Sequence, residues 1–274
     1  MSRTLYVTDL DGTLLNKQSR IDPKSIGVIN GLVKRGLLFT YATARSIVSA
    51  TVATQGLSMD MPVITHNGTF IINPSTGEIL SRESFAPEET DRVVEVLEKF
   101  GVSALVYAYV EGVERVSWLV ERENDDVRRY LGRRKGDRRL RPVSTREALY
   151  QGDMFYYNCV GGKKELQPVY EIFAGDGRFR CTMQQELYSP EYFCEIMPAR
   201  ATKAEAARKL KKLLDCDRMI SFGDEINDIP MFGISDECYA VENAVDELKA
   251  VATGVIGSNE DGGVAGWLER NARI

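Results

Sequence analysis

In the stretch TLYVTDLDGTLL, residues 4–15, an apolar run leads directly into a pair of carboxylates. Residues 5–7 predict a short buried strand, and Gly12 predicts a tight turn just after it. Asp9 and Asp11 stand two positions apart where that strand ends. Because like charges this close repel each other, solvent, a cation or a shared proton must compensate them.

The composition is that of an ordinary globular chain. Of its 274 residues, 43% are hydrophobic and 27% charged, enough to bury a normal core in one large domain or two moderate ones. The formal net charge of −5 argues against nucleic acid as the default partner. No apolar run approaches the ~18 residues that a membrane span needs. The five cysteines are widely spaced and lack a CxxC pair, which argues against a disulfide framework and favours the cytoplasm.

Strand and helix signals alternate through the first third of the chain. Apolar runs at 37–45 and 61–72 predict two further strands, and residues 21–36 and 46–57 predict the helices between them. Asp22 is placed to cap the first of these helices. This alternation, with short links, is typical of a parallel sheet with right-handed crossovers.

In parallel sheets of this kind, ligands bind beyond the carboxyl ends of the strands. Asp9, Thr43 and Asn67 each follow an apolar run, so we expect them at that edge. His66 is the single histidine of the chain, which excludes zinc sites that need several histidines. We expect His66 to be structural or solvent-facing rather than catalytic.

The pattern changes at about residue 83. Between 83 and 187, paired strand signals alternate with helix signals, which predicts an α+β module with an antiparallel sheet. The earlier alternation then returns, so residues 1–82 and 188–274 are expected to form one domain that the module interrupts. The module contains the basic cluster Arg128–Arg141, with eight basic residues. We interpret this cluster as a solvated surface rather than a site that steers anions or contacts nucleic acid.

A second acidic cluster follows a later apolar run. Asp224, Asn227 and Asp228 lie in the segment GDEINDIPM, directly after MISF. The predicted parallel sheet places them at the same edge as Asp9. Oxygen-rich clusters bind hard cations, and Mg²⁺ is typically held by one or two carboxylates together with substrate phosphate. Lys203, beside a predicted helix start, would add positive charge that favours an anion.

Other phosphate and metal chemistries lack their parts in this sequence. An EF-hand that starts at Asp9 would need glycine and an acid where the chain has Leu14 and Arg20. The chain contains no GxxxxGK[ST] phosphate loop, no complete GxGxxG fingerprint and no GxSxG elbow. The two acidic clusters are therefore the main candidates for a functional site.

Four motifs in order, DLDGT, TAR, Lys203 and GDEIND, resemble those of the haloacid dehalogenase superfamily. The long insert between the second and third motifs resembles the type IIB cap of the Cof-type phosphatases. The resemblance implies an α/β fold, in which residues 1–82 and 188–274 form a Rossmann-like parallel-sheet core. Residues 83–187 would form an inserted α+β cap domain.

The resemblance also implies a covalent mechanism. Asp9 would be the nucleophile that attacks phosphorus and forms an aspartyl-phosphate. Asp11 would protonate the leaving group and then deprotonate the hydrolytic water. Thr43 and Lys203 would hold the phosphoryl oxygens and offset their charge. Thr13 would orient Asp11 through its hydroxyl.

A metal and a set of substrate contacts follow from the same resemblance. Mg²⁺ would be held by Asp9, the backbone carbonyl of Asp11 and Asp224, with support from Asn227 and Asp228. The implied substrate-binding residues are Thr43, Arg45, Asn67, Gly68, Lys203 and Asn227. For Asn67 and Gly68, a simple loop is an equal alternative.

The expected function is that of a Mg²⁺-dependent phosphatase of small phosphorylated metabolites, with sugar phosphates favoured by the resemblance. The same fold and first motif also serve sugar phosphomutases, which return the phosphoryl group to the substrate instead of releasing it. A regulatory protein that binds a phosphorylated ligand without turnover is a third alternative. We expect a cytoplasmic monomer or weak homo-oligomer with no membrane partner.

Overall fold

The computed structural model describes residues 3–185 and 190–274. The strands, in chain order, are β1 (Thr4–Thr8), β2 (Leu38–Tyr41), β3 (Val63–Thr65), β4 (Phe70–Ile72), β5 (Ile79–Arg82), β6 (Ala104–Val110), β7 (Val113–Leu119), β8 (Leu140–Val143), β9 (Asp153–Gly161), β10 (Phe179–Gln185), β11 (Tyr192–Pro198), β12 (Arg218–Gly223), β13 (Glu237–Val241) and β14 (Gly254–Ile256). The helices are α1 (Pro23–Lys34), α2 (Ile47–Ala53), α3 (Pro87–Lys99), α4 (Asp125–Gly132), α5 (Arg146–Leu149), α6 (Lys163–Ala174), α7 (Lys203–Leu213), α8 (Ile229–Phe232), α9 (Asp246–Lys249) and α10 (Gly263–Asn271). Within the described ranges, no helix has the length and apolar character needed to cross a membrane.

The chain forms two compact units. The first comprises the residues up to Arg82 together with Ala201–Ile274, and the second comprises Glu83–Arg200. The sequence predicts the return to the first unit at residue 188, which lies outside the described residues. Strand β11 pairs with both β9 and β10, so its backbone hydrogen bonds keep it in the second unit.

The first unit is built on a parallel sheet in the order β14-β13-β12-β1-β2. Side chains alternate across β1, so Tyr6 joins the core under α1 and α10, whereas Leu5 and Val7 join a second core under α7. Helices therefore cover both faces of the sheet, as expected for a doubly covered α/β domain.

Two helices of this unit begin at side-chain caps that the sequence indicates. Asp22 accepts hydrogen bonds from the backbone N–H groups of Lys24 and Ser25 at the start of α1. Thr202 accepts one from the N–H of Glu205 at the start of α7. The cap at Thr202 makes Lys203 the first residue of its helix.

The sequence predicts a single strand from the apolar run at 61–72, but the structure shows two. The run folds back on itself as β3 and β4, which pair antiparallel, and β5 extends this small sheet. The reversal occurs at His66–Gly68, where all three residues have positive φ. The ring of His66 packs edge-on against Phe70, with the ring centroids 5.6 Å apart.

The second unit contains a six-stranded sheet in the order β10-β11-β9-β6-β7-β8. All neighbouring pairs are antiparallel except β7 and β8. The buried side chains of α3 and α6 share one apolar core with this sheet. The predicted α+β module with an antiparallel sheet is therefore confirmed.

Candidate active site

The carboxyl ends of three neighbouring strands form the edge at which the site is built. Asp9 follows β1, Thr43 lies two residues beyond β2, and Asp224 follows β12. The backbone N–H of Asp9 donates to the carbonyl of Phe222 at 3.0 Å, which continues the strand pairing into the turns. The order of strands in the sheet thus brings together residues that are more than two hundred positions apart.

A buried charge cluster occupies this edge. Carboxylate oxygens of Asp9, Asp224 and Asp228 lie within 4.8 Å of one another. Lys203 Nζ is 2.8 Å from Asp9 Oδ1 and 2.8 Å from Asp228 Oδ1. The second oxygen of Asp228 accepts the N–H groups of Asp224 and Glu225. Asp228 therefore holds both the lysine and the turn that carries Asp224.

Burial controls the ionisation of this cluster. Burial raises the pKa of Asp9, and the nearby carboxylates of Asp228 and Asp224 raise it further. The positive charge of Lys203 acts in the opposite direction and lowers this pKa. Burial also raises the pKa of Asp224 to about 6, although the Thr13 hydroxyl acts in the other direction. Burial would lower the pKa of Lys203, but Asp9 and Asp228 outweigh it, and the pKa is raised. The lysine stays charged, and the carboxylates repel one another.

The charge balance of the cluster fits a divalent cation. Three carboxylates share one ammonium group, which leaves two formal negative charges in excess in a buried place. Asp9 and Asp224 are the first candidates for ligands, because both oxygens of Asp228 are engaged by Lys203 and backbone N–H groups. A set of carboxylate oxygens suits a hard cation such as Mg²⁺.

The turn after β1 is shaped around Asp224. Thr13 Oγ1 donates to Asp224 Oδ1 at 2.7 Å, so the expectation that this hydroxyl orients Asp11 is wrong. Gly12 has a φ of +75°, and a Cβ at this position would lie 2.0 Å from Asp224 Oδ2. The close approach of the turn to the carboxylate therefore requires glycine.

Asn243 also holds this turn, a contact that the sequence motifs did not predict. Its Nδ2 donates to the carbonyl of Gly12 at 2.8 Å, and its Oδ1 accepts the N–H of Asn259 at 3.0 Å. Asn243 lies two residues beyond β13, at the same edge as the acidic cluster. A search for polar residues after every strand of the sheet would have found it.

Asp11 lies apart from the buried cluster. Its side chain is 52% exposed and forms a two-point ion pair with Arg45, at 2.8 Å from Nε to Oδ2 and 2.5 Å from Nη2 to Oδ1. Arg45 Nη1 also donates to Ser49 Oγ at 3.2 Å. In this conformation, Arg45, which is expected to bind the substrate, is instead paired with Asp11, the expected general acid.

The remaining predicted residues divide into two groups. Thr43 is fully buried, and the backbone N–H of Asn67 donates to its carbonyl at 2.8 Å. The next residue of the turn, Gly68, lies against the backbone at the start of α7, where Lys203 is the first helical residue. Asn227, in contrast, is exposed, although it directly precedes the buried Asp228. The fold thus gathers the Thr43, Asn67 and Gly68 positions around one turn and leaves Asn227 at the surface.

The family of this chain is shown by a match that covers both units and all of the site residues described above. A model of the haloacid dehalogenase-like hydrolases matches residues 6–268. The chain is a haloacid dehalogenase-like hydrolase. The resemblance to this superfamily and its Cof-type phosphatases, drawn from four short motifs, is confirmed.

Relatives of this hydrolase are similar over nearly its full length. The 5-amino-6-(5-phospho-D-ribitylamino)uracil phosphatase YwtE of Bacillus subtilis is 25% identical over 281 residues, which cover 96% of each chain. The HMP-PP phosphatase of Klebsiella pneumoniae is 25% identical over 263 residues, which cover 90% of this chain and 86% of the relative. The crystal structure of TM0651 from Thermotoga maritima matches with a TM-score of 0.78 and 26% identity, covering 100% of this chain and 99% of that one. The hydrolase is therefore a phosphatase with the α/β fold of its family.

Half of the eight basic residues in the cluster Arg128–Arg141 of this hydrolase form ion pairs within the second unit. Its ion pairs include Arg128–Glu123, Arg128–Asp125, Arg129–Asp126, Arg129–Glu191, Arg133–Glu191, Arg139–Asp137 and Arg139–Glu114. The guanidinium of Arg134 lies 3.6 Å from the centroid of the Tyr130 ring. These contacts support the interpretation of the cluster as a surface feature.

Proposed function

We propose that this phosphatase uses Mg²⁺ to release inorganic phosphate from small phosphorylated metabolites, sugar phosphates foremost, through an aspartyl-phosphate on Asp9. It would act in the cytoplasm as a monomer or weak homo-oligomer. The observation that carries the proposal is the buried 2.8 Å contact between Lys203 and Asp9, inside a cluster with excess negative charge. A carboxylate paired in this way is available as a nucleophile beside a charge that attracts phosphate.

In the first step, a carboxylate oxygen of Asp9 forms a bond to phosphorus while the bond from phosphorus to the ester oxygen breaks. Lys203 and the Thr43 hydroxyl hold the phosphoryl oxygens and offset their negative charge. Mg²⁺, held by Asp9, the Asp11 carbonyl and Asp224 with support from Asp228 and Asn227, would reduce the repulsion between carboxylate and phosphate.

Proton transfer is the role proposed for Asp11. It gives a proton to the departing ester oxygen, then takes one from the water that attacks phosphorus and breaks the bond to Asp9. Both oxygens of Asp11 are engaged by Arg45 here, so at least one must be released before it carries a proton. The same release would free Arg45 for a substrate oxygen.

The substrate class is drawn from what the relatives share. One is named for a phosphoribityl compound and another for HMP-PP, and both are small phosphorylated molecules. We assign Arg45, Asn67, Gly68 and Asn227 to contacts near the phosphoryl group. A simple loop remains the alternative for Asn67 and Gly68.

The test is phosphate release from a panel of phosphorylated sugars, polyols, pyrimidines and cofactors in the presence of Mg²⁺. Asp9→Asn removes the nucleophile with little change in volume, and Asp60→Asn is the matched control at an exposed aspartate. We expect release by the wild-type chain and by Asp60→Asn, and none by Asp9→Asn.

The possible outcomes separate the alternatives. Release by Asp9→Asn at the wild-type rate would contradict the covalent mechanism. An isomerised sugar phosphate without free phosphate would identify a phosphomutase. Binding of phosphorylated ligands without any conversion would identify the regulatory alternative.

A further inference from the structure

The turn His66–Gly68 has an unusual backbone. Its three φ angles are 50°, 55° and 99°, in a region that only glycine adopts freely. Asparagine tolerates this region best when its side chain bonds locally, but Asn67 Oδ1 is buried and accepts no hydrogen bond from the described residues. The conformation must therefore be maintained by the contacts of the backbone itself.

One side of this turn is tied to the segment after β2. The N–H of His66 donates to the carbonyl of Arg45 at 3.0 Å, and the N–H of Asn67 donates to the carbonyl of Thr43 at 2.8 Å. Two successive bonds of this kind fix both the position and the direction of the turn. The turn is therefore tied directly to the backbone of Thr43 and Arg45.

The other side of the turn touches the start of α7. A Cβ at Gly68 would lie 2.0 Å from the carbonyl oxygen of Thr202 and 2.8 Å from the backbone nitrogen of Lys203. Backbone thus meets backbone at this point, with no flexible side chain between them. A side chain at Gly68 would therefore have to displace the backbone at the start of α7.

We propose that the turn His66–Gly68 is a positioning element that fixes Lys203 relative to Thr43. This inference rests on the proposed function, in which those two residues hold one phosphoryl group. The turn contacts both through its backbone, so it determines the spacing of two groups that no strand connects directly. Catalytic groups must be held closely, since a displacement of about 1 Å can cost about a hundredfold in rate.

The first test compares two glycine substitutions with similar backbone angles. Gly68 and Gly77 have φ of +99° and +74°, but a Cβ at Gly77 meets nothing within 4 Å. Gly77→Ala therefore measures the cost of the backbone angle alone. We expect Gly68→Ala to lower kcat on the order of a hundredfold and to weaken binding of inorganic phosphate in the presence of Mg²⁺, while Gly77→Ala leaves both within about twofold.

The second test stays informative if Gly68→Ala fails to fold. Asn67→Ala and Asn67→Gly both remove the amide side chain, but only glycine adopts the left-handed angle without cost. We expect Asn67→Ala to have a kcat about tenfold below that of Asn67→Gly, and a weaker affinity for inorganic phosphate. A role confined to the Asn67 side chain predicts equal values for the two variants.

Calorimetry with inorganic phosphate separates this inference from the proposed function. If the wild-type chain binds phosphate but hydrolyses no ester, the proposed function fails, and the phosphate affinities of the variants still test the turn. Equal kcat and phosphate affinity in the Asn67 pair would overturn the inference. Values for Gly68→Ala that match Gly77→Ala would overturn it as well.

Discussion

The two dense charge clusters of this chain differ in burial and in balance. The acidic cluster of Asp9, Asp224 and Asp228 is almost fully buried, and Lys203 is its only close cationic partner in the described ranges. The basic cluster Arg128–Arg141 is mostly exposed, and acids neutralise much of it. A run of charge in a sequence is therefore a weak indicator of function. Burial without compensation is the stronger one, because the fold must accept its cost.

Removal of the metal is the largest expected effect and tests whether the acidic cluster needs a cation. Chelation with EDTA should abolish phosphatase activity, and Mg²⁺ should restore it, because two formal negative charges are otherwise in excess. Mg²⁺ should also raise the melting temperature of the wild-type chain more than that of Asp224→Asn. Full activity in EDTA would contradict the role of the cluster.

Lys203→Met should come next. It removes the ammonium group from among the buried carboxylates, so kcat should fall on the order of a thousandfold. The matched control is Lys212→Met, at an exposed position of the same helix, which should keep wild-type kinetics. A loss below tenfold in steady-state kcat for Lys203→Met would mean that the charge is not essential.

Glu191 tests whether the basic cluster includes a buried ion pair, as the acidic cluster does. Its side chain is fully buried and pairs with Arg129 and Arg133. Glu191→Gln should lower the free energy of unfolding by about 1–3 kcal/mol while leaving kcat unchanged. Urea denaturation measures this loss, with Glu121→Gln as the exposed control. An unchanged free energy of unfolding would show that the two arginines are satisfied without the carboxylate.

Arg128→Gln should have the smallest effect. Arg128 pairs with Asp125, whose side chain is 83% exposed, and with Glu123 at a longer 3.6 Å, and its own side chain is 58% exposed, so these pairs contribute little. We expect a change in the free energy of unfolding below about 0.5 kcal/mol in the same urea experiment. A loss of stability as large as that of Glu191→Gln would show that the exposed and buried ion pairs of the basic cluster contribute equally.

Local signals in the sequence were sufficient for much of the fold. The caps at Asp22 and Thr202 depend on residues within one helical turn, and both helices begin where these residues indicate. The acidic clusters were visible because each follows a strand of the same parallel sheet. These features need no knowledge of distant contacts.

Features that depend on distant contacts were missed or misplaced. The assignment of β11 to the second unit depends on its pairing with β9 and β10, which no local pattern shows. The Thr13 hydroxyl was assigned to Asp11, but it donates to a carboxylate that lies 211 positions away. No local pattern distinguishes between two such partners.

Periodicity, caps and short motifs are local properties, so the amino-acid sequence was enough to predict the α/β class, the alternation that places carboxylates at one edge, and the family. The folded structure was needed to show which of those carboxylates share a lysine, that Asp11 is held by Arg45, and that Gly68 lies against the start of α7. These contacts join segments far apart in the chain. They exist only once the sheet has assembled and the strand order has fixed which turns are neighbours.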